Sequence, residues 1–453
     1  MKNYNHIYFI GIGGIGMSAL ARYFNHHGFK VTGYDRTETV LTKTLVSEGI
    51  DIHYNDDPSQ IPNDKEKTLV VFTPAIPSDM EELICVKEKG YRVLKRAQVL
   101  GLISQSKNCI GIAGTHGKTS ITTLTAYIMH KSKVGCSAFL GGISKNYGTN
   151  YLLPNEDSDV MVVEADEFDR SFLQLSPDTA LLTSMDADHL DIYGTDATIK
   201  ETFETYLEMV PEEGTVVYKK GLNIKQKRCK TYTYALEDSS ADFHAQNITI
   251  DQGAYIFDIH TPMGTIEGCK FTYPGKVNLE NCIGATAVSL LNGVTPEEIK
   301  DIIPSYQGVK RRFDVQYEDS KVKYIDDYAH HPTEINATLD SIKALFPEKK
   351  ITGIFQPHLF SRTQDFYKEF GQSLSKLDSL ILLDIYPARE KPIDGVTSNL
   401  ILTHCNAIKK RIVAKNEVLK ALDSEQFDIL VTLGAGDIDT LVTPIREYLT
   451  RNA

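Results

Sequence analysis

Asn108-Cys109-Ile110-Gly111-Ile112-Ala113-Gly114-Thr115-His116-Gly117-Lys118-Thr119 is the stretch on which the fold of this chain turns. A buried-type strand ends at Ala113, two glycines bracket a tight turn, and a lysine and a threonine open a helix-like run through Thr123. Glycine lets the backbone approach phosphate oxygens, the amides of the turn point inward, and the positive end of the following helix faces the anion. The lysine adds a charge for terminal phosphates and the threonine a hydroxyl suited to magnesium, so the segment reads as a triphosphate site. It is shorter than the G-x-x-x-x-G-K-[ST] pattern, because Ile112 stands where the first glycine would be. Strand, phosphate turn and helix in this order predict an α/β unit that binds at the carboxyl ends of its strands.

Upstream, a second glycine turn, Gly11-Ile12-Gly13-Gly14-Ile15-Gly16, follows the apolar run His6 to Ile10. It has no lysine, so it suits a diphosphate. Asp35, after a second predicted strand from Phe29 to Tyr34, is placed to accept from ribose hydroxyls. A nicotinamide or flavin dinucleotide and a UDP-sugar satisfy this turn equally.

The rest of the chain extends this alternation. A helix is predicted from Met17 to His27 with Gly28 closing it, and a strand from Thr68 to Phe72 leads into the loop Thr73 to Pro77. After the lysine turn, strands are predicted at Val160 to Glu164 and Ala180 to Ser184, and period-two runs from about Gly214 to Pro274 predict antiparallel hairpins turning at Asp251-Gln252-Gly253. Further strands at Val322 to Asp326, Ile351 to Phe355, Ser379 to Asp384 and Asp428 to Leu433 alternate with helices starting near Thr333, Asp365 and Thr440. At 453 residues the chain is too long for one core. Three α/β domains are expected, at 1–107, 108–314 and 315–453, the short polar stretch Ser104 to Asn108 forming the first joint.

Net charge is −12 with a sequence pI near 5.6, which argues against a nucleic-acid or membrane-surface partner. The seven cysteines (85, 109, 136, 229, 269, 282 and 405) include no C-x-x-C pair, so neither a zinc site nor a disulfide framework is indicated. Met1 runs quickly into the first strand and no apolar run approaches spanning length, so a cytoplasmic protein without a signal peptide is expected.

Beside the lysine turn, Glu164-Ala165-Asp166-Glu167-Phe168-Asp169 and Asp186-Ala187-Asp188-His189-Leu190-Asp191 each follow a predicted strand. A parallel sheet would deliver both to the same edge. Magnesium takes oxygen ligands, keeps several waters and needs only one or two carboxylates beside phosphates, so Glu164 and His189, nearest the strand ends, are the metal candidates. For Asp166, Asp169 and Asp191 a solvated acidic loop is the competing reading. In the last unit, Asp326-Asp327-Tyr328-Ala329-His330-His331 and Gln356-Pro357-His358-Leu359-Phe360-Ser361-Arg362 also follow strands. Neighbouring side chains of an extended segment point opposite ways, so His330 and His331 should not share an ion. Arg362 has the planar fork that clamps a carboxylate, although a plain surface arginine is the alternative.

Taken together with Arg311-Arg312-Phe313-Asp314 and Gly434-Ala435-Gly436-Asp437-Ile438, these motifs resemble the Mur ligases in order along the whole chain. The resemblance implies a Rossmann-like domain for a UDP-sugar, a P-loop-like central domain for ATP, and a second Rossmann-like domain for an amino acid. It implies joining of L-alanine to the lactyl carboxylate of UDP-N-acetylmuramate in peptidoglycan precursor synthesis, with ATP and Mg2+, by a monomer or weak homodimer. Carried over, it puts the UDP diphosphate on Gly11, Gly13, Gly14 and Gly16 with Asp35, and the ATP phosphates on Gly114, Thr115, His116, Gly117, Lys118 and Thr119. Lys118 would hold the terminal phosphates, Thr119, Glu164 and His189 the metal, and Asn278, Asn281, Arg312 and Asp327 would serve the nucleotide. Tyr328, His330, His358 and Arg362 would face the amino acid and the muramyl group. Two positions depart from the family pattern: Val277 replaces a frequent histidine and Leu359 an arginine. A nicotinamide-dependent oxidoreductase explains only the first turn, and a nucleotide sensor has no need of Glu164, His189 and Arg362 together. A recycling ligase that adds a whole peptide to the same sugar nucleotide is the nearest rival.

Overall fold

The computed structural model of the chain describes residues 3–155, 158–186, 190–388 and 390–452. Three sheets organise it. The first holds β1 (His6–Ile10), β2 (Lys30–Tyr34), β3 (Asp51–His53), β4 (Thr68–Phe72) and β5 (Arg92–Lys95), all parallel, in the order β3-β2-β1-β4-β5. Strand order reverses beside β1, and the first glycine turn leaves β1 at that switch point, where open α/β sheets bind ligands. Its helix spans Ile15–His26.

The central sheet contains β6 (Asn108–Ala113), β7 (Ser137–Phe139), β8 (Tyr151–Leu152), β9 (Val160–Glu164), β10 (Thr179–Leu182), β11 (Thr215–Lys219), β12 (Lys230–Ala235), β13 (Phe243–Asp251), β14 (Ala254–Thr261) and β15 (Gly264–Phe271). Its order is β15-β14-β13-β12-β11-β10-β6-β9-β7-β8. β6 lies in the middle and is buried on both faces from Cys109 to Ala113, which explains its unbroken apolar sequence. β10 and β9 flank it in parallel, so the ends of all three strands meet on one edge. One expectation is corrected here. The region 214–274 is not antiparallel throughout: β11 and β12 extend the parallel sheet, and only β13, β14 and β15 form antiparallel hairpins. The helix Asp196–Glu208 is a crossover that returns β11 in the direction of β10, and a period-two pattern does not distinguish the two pairings.

The third sheet contains β16 (Asp314–Glu318), β17 (Lys323–Asp327), β18 (Ile351–Phe355), β19 (Ser379–Leu382), β20 (Lys409–Ile412) and β21 (Ile429–Leu433), ordered β16-β17-β21-β18-β19-β20 with β16 antiparallel. The helix expected from near Asp365 begins at Phe360 instead, because Leu359 takes φ 71° and turns the chain directly into it. The last helix, expected near Thr440, starts at Val442 after a 3-10 turn at Asp437–Leu441.

The chain forms two compact units. One runs to Thr272 and includes Glu280–Gln307; the other comprises Tyr273–Leu279 and Gly308 onward. In the first unit the first two sheets share a continuous apolar core, in which Phe24 and Val99 join Phe139, Tyr151 and Phe172. Gly101 permits a close approach: a methyl group there would lie 2.2 Å from the carbonyl oxygen of Gln174. All seven cysteines are free thiols, and among the described residues no helix is long and apolar enough to cross a membrane.

Candidate active site

The lysine turn is shaped by its glycines and fastened to the next strand end. Gly114 has φ 130° and Gly117 φ 79°, both in the region that disfavours side chains, and a methyl group on Gly114 would sit 2.0 Å from Thr183 Oγ1. Ser184 Oγ accepts from the His116 amide at 2.9 Å and bonds Thr115 Oγ1 at 2.9 Å. The Asp186 amide donates to Thr115 Oγ1 at 3.1 Å, and Thr183 Oγ1 donates to the His116 carbonyl. The turn between β6 and the helix Lys118–Lys131 is therefore held by the segment after β10. Asn281, nearly buried, flanks it: a methyl group on Gly117 would lie 3.2 Å from Asn281 Oδ1.

Lys118 is folded onto its own turn. Its Nζ donates to the Gly114 carbonyl at 2.6 Å and to Glu167 Oε1 at 2.9 Å, and lies 2.7 Å from Glu167 Oε2. Burial works against the lysine charge, but Glu167, Glu164 and Asp166 outweigh it and hold the ammonium above the ordinary lysine range. Glu167 is 1 % exposed, and burial pushes its carboxyl up to about 7 in spite of Lys118. Tyr193 donates to the Glu167 carbonyl at 2.6 Å, fixing the backbone there. Glu167 is the residue that sequence reasoning missed as a site residue. Its motif was visible, but its spacing from Lys118 along the chain carries no sign that the two side chains meet.

Glu164 ends β9 and accepts from Thr119 Oγ1 at 3.1 Å. Gly141 makes room for it, since a methyl group there would lie 2.1 Å from Glu164 Oε2. A hydroxyl and a carboxylate thus stand together where terminal phosphates would lie. Among the described residues no three His, Cys, Asp or Glu side chains converge into a cage. The pair fits magnesium, which binds through one or two carboxylates, phosphate oxygens and waters. Asp188 and His189, the latter expected as a metal ligand, lie outside the described residues. Asp169 and Asp166 form ion pairs with β5 and the helix after it, with Lys95 at 3.0 Å and Arg96 at 3.2 Å.

In the same unit, the first glycine turn has Gly11 at φ 88°. The Gly13 amide donates to Asp35 Oδ2 at 2.7 Å, and Thr37 donates to Asp35 Oδ1 at 3.1 Å, so Asp35 braces the turn itself. Gly14 is the N-cap of the helix that follows and supplies no side-chain bond, nor does any acidic residue stand in its first turn. The amide end of that helix is left facing the place where an anion would sit.

The second unit gathers the other predicted residues. Tyr328 lies beneath two guanidinium groups, with Arg311 5.1 Å and Arg312 5.0 Å from the ring centre. His330 packs edge-on against Tyr328 at 5.2 Å and His358 at 5.9 Å, and Arg362 Nη1 is 3.5 Å from His358 Nδ1. Arg362 is 7 % exposed, hence not a loose surface arginine. Tyr328, His330, His358 and Arg362 therefore form one cluster after β17 and β18. His331 diverges from His330, its Nδ1 accepting from the Thr333 amide at 3.4 Å and its ring packing on Phe366. Asp327 is buried and accepts from the Phe313 and Ala329 amides, each at 2.9 Å, and from Thr338 Oγ1 at 3.1 Å. Burial pushes its carboxyl up to about 6 against the pull of Arg312 and those amides. It organises the Arg311 to Phe313 turn, where Arg311 has φ 63° and Phe313 φ 44°. Arg312 also lies 3.8 Å from Glu334, and Asn278 Nδ2 donates to the Pro274 carbonyl at 2.6 Å.

Known proteins match this arrangement along its whole length. Residues 6–108 match the Mur ligase family, catalytic domain; residues 112–289 the Mur ligase middle domain; and residues 311–436 the Mur ligase, glutamate ligase domain. A UDP-N-acetylmuramate–L-alanine ligase of Phocaeicola vulgatus is 49% identical over 452 residues, covering 98% of each chain. One from Porphyromonas gingivalis is 47% identical over 450 residues, again 98% of each. Among solved structures, the UDP-N-acetylmuramate-alanine ligase of Thermotoga maritima superposes with a TM-score of 0.84 at 25% identity, covering 99% of this chain and 100% of that one. A murein peptide ligase from Psychrobacter arcticus shares the fold, with a TM-score of 0.73 at 22% identity over 98% of both chains. With a lysine-bearing phosphate turn, a lysine-free one and three α/β domains matched in succession, this chain belongs to the Mur ligase family.

Proposed function

We propose that the chain is an ATP-dependent ligase that joins L-alanine to the lactyl carboxylate of UDP-N-acetylmuramate, a peptide-forming step in peptidoglycan precursor synthesis in the cytoplasm. The observation that carries this reading is the placement of Lys118, Thr119 and Glu164 at one strand edge, in the same compact unit as a glycine turn without lysine. This arrangement supports a triphosphate site together with a diphosphate site. Residues 1–107 would take the UDP-sugar, 108–314 ATP and 315–453 the amino acid.

The chemistry follows from what a carboxylate cannot do. Direct attack by an amine would have to expel oxide, so the carboxylate is first made into an acyl phosphate. A lactyl oxygen attacks the γ-phosphorus, the bond to the bridging oxygen breaks, and ADP leaves. Lys118 would exchange the Gly114 carbonyl and Glu167 for phosphate oxygens and neutralise charge that grows in the transition state. Thr119 and Glu164, with His189, would hold magnesium, which when bound offsets the remaining phosphate charge. The free amine of alanine then attacks the acyl carbon, the carbon–oxygen bond to phosphorus breaks from the tetrahedral intermediate, and the proton shed by the nitrogen leaves with inorganic phosphate or solvent. Arg362 offers the alanine carboxylate a two-pronged contact, while Tyr328, His330 and His358 provide the surrounding polar and aromatic surface. Asn281 borders the phosphate turn, and Asn278, Arg312 and Asp327 are assigned to the nucleotide by family likeness alone.

Phosphate release measured across glycine, alanine, serine and leucine, with ATP and UDP-N-acetylmuramate supplied, tests the reading. Alanine should be used best. One methyl group in an apolar pocket is worth only about 1 kcal/mol, so glycine should fall roughly fivefold and leucine should be excluded. Ready use of leucine, or release independent of the UDP-sugar, would reject the proposed reaction.

A further inference from the structure

Arg96 stands between the two phosphate turns of the first unit. It opens the helix Arg96–Ser104 directly after β5, and its side chain is 18% exposed. One end of the guanidinium lies over the first glycine turn: a methyl group on Gly16 would be 2.9 Å from Nη1 and 3.4 Å from Cζ. The other end, Nη2, donates to Asp166 Oδ2 at 3.2 Å. Asp166 is itself fixed, because its Oδ1 accepts from the Phe168 amide at 3.1 Å. It immediately precedes Glu167, the counter-charge of Lys118.

The first turn needs a cation from elsewhere. A diphosphate brings at least two negative charges, and Gly11 to Gly16 contain no basic side chain. The helix end contributes only a partial charge, and the Gly13 amide is already engaged by Asp35. Arg96 Nη1 is the positive group over Gly16, and the Asp166 carboxylate on Nη2 offsets the same delocalised charge and draws the guanidinium away from an anion on the turn. Its neighbour Lys95 pairs with Asp169 at 3.0 Å, but both of those side chains are more exposed, 47% and 38%, so that pair adds little.

We infer that Arg96 is a binding residue for the diphosphate on the first glycine turn, and that Asp166 competes with the diphosphate for the same guanidinium. This rests on the reading of that turn as a UDP-sugar site. Arg96→Ala and Asp166→Asn both break the ion pair between the two residues, so a purely structural tether predicts similar losses from each. A direct contact predicts opposite effects.

Calorimetric titration of the full chain with UDP, and separately with a non-hydrolysable ATP analogue, distinguishes them. Loss of a charge-assisted contact should weaken UDP binding of Arg96→Ala roughly ten- to a hundredfold while the ATP analogue stays within about threefold. Arg96→Lys should fall between, and Asp166→Asn should bind UDP at least as tightly as the parent. If Arg96→Ala does not fold, Arg96→Lys and Asp166→Asn carry the same contrast. Weakening of UDP by Asp166→Asn to the extent seen in the arginine variants, or UDP affinity of Arg96→Ala within about twofold of the parent, would overturn the inference. Failure of the parent to bind UDP would overturn the underlying reading and the inference with it.

Discussion

The two glycine turns of the first unit use the same backbone chemistry with opposite arrangements of charge. In the first, a carboxylate, Asp35, is bonded to the turn amide of Gly13, and the cation, Arg96, reaches over from the helix after β5. In the second, the cation is Lys118 of the turn itself, and the carboxylate, Glu167, comes from the segment after β9. Each turn thus has a charge close in sequence and an opposite charge supplied from far along the chain.

The largest effect that can break this comparison is removal of the lysine. Lys118→Ala should lower ligase turnover by roughly a hundredfold or more, the usual result of losing one transition-state charge contact, and leave UDP affinity unchanged. Removing the lysine also leaves Glu167 buried without its cation, which destabilises a fold by several kcal/mol in comparable pairs, about 3–5. Lys118→Ala combined with Glu167→Gln should recover most of that stability and none of the turnover. Near-normal turnover in either variant would show that the two turns do not divide the work as described.

A smaller effect sharpens the contrast between the carboxylates. Glu167 has its folded pKa raised to about 7, above its value in an unfolded chain. Between the two values the folded protein binds more protons than the unfolded one, so stability falls as pH rises through this window and levels off above it. Denaturant unfolding at about pH 5 and about pH 8 should show the parent losing about 2 kcal/mol more than Glu167→Gln over that interval. Equal pH slopes would mean that burial does not hold the Glu167 carboxyl above its ordinary range in the folded protein.

Local sequence carries much of this, and the exceptions have physical causes. The glycine turns, the strand ends carrying Glu164 and Asp327, and the divergence of His330 from His331 all depend on local periodicity and turn chemistry. The contact of Lys118 with Glu167 depends on how strands are ordered across a sheet, and that of Arg96 with Asp166 on how the first two sheets pack together, neither of which any spacing along the chain reports. The hairpin boundary was misplaced because alternation in Thr215–Lys219 suits a parallel strand as well as an antiparallel one. The start of the helix at Phe360 was missed because it depends on Leu359 adopting φ 71°, a conformation that leucine gives no reason to expect. The bonds of Asp327 to the Phe313 and Ala329 amides and to Thr338 likewise depend on how the chain folds back on itself.

The path of oxygen, rather than the rate, reports whether an acyl phosphate forms. UDP-N-acetylmuramate carrying heavy oxygen in its lactyl carboxylate is turned over with ATP and alanine, and the released phosphate is examined by mass spectrometry. Attack of the carboxylate on the γ-phosphoryl group at the lysine turn predicts that one labelled oxygen passes to each phosphate and that the amide product keeps the other. Phosphate released without label while the amide forms would contradict an acyl phosphate and, with it, the division of labour between the two turns.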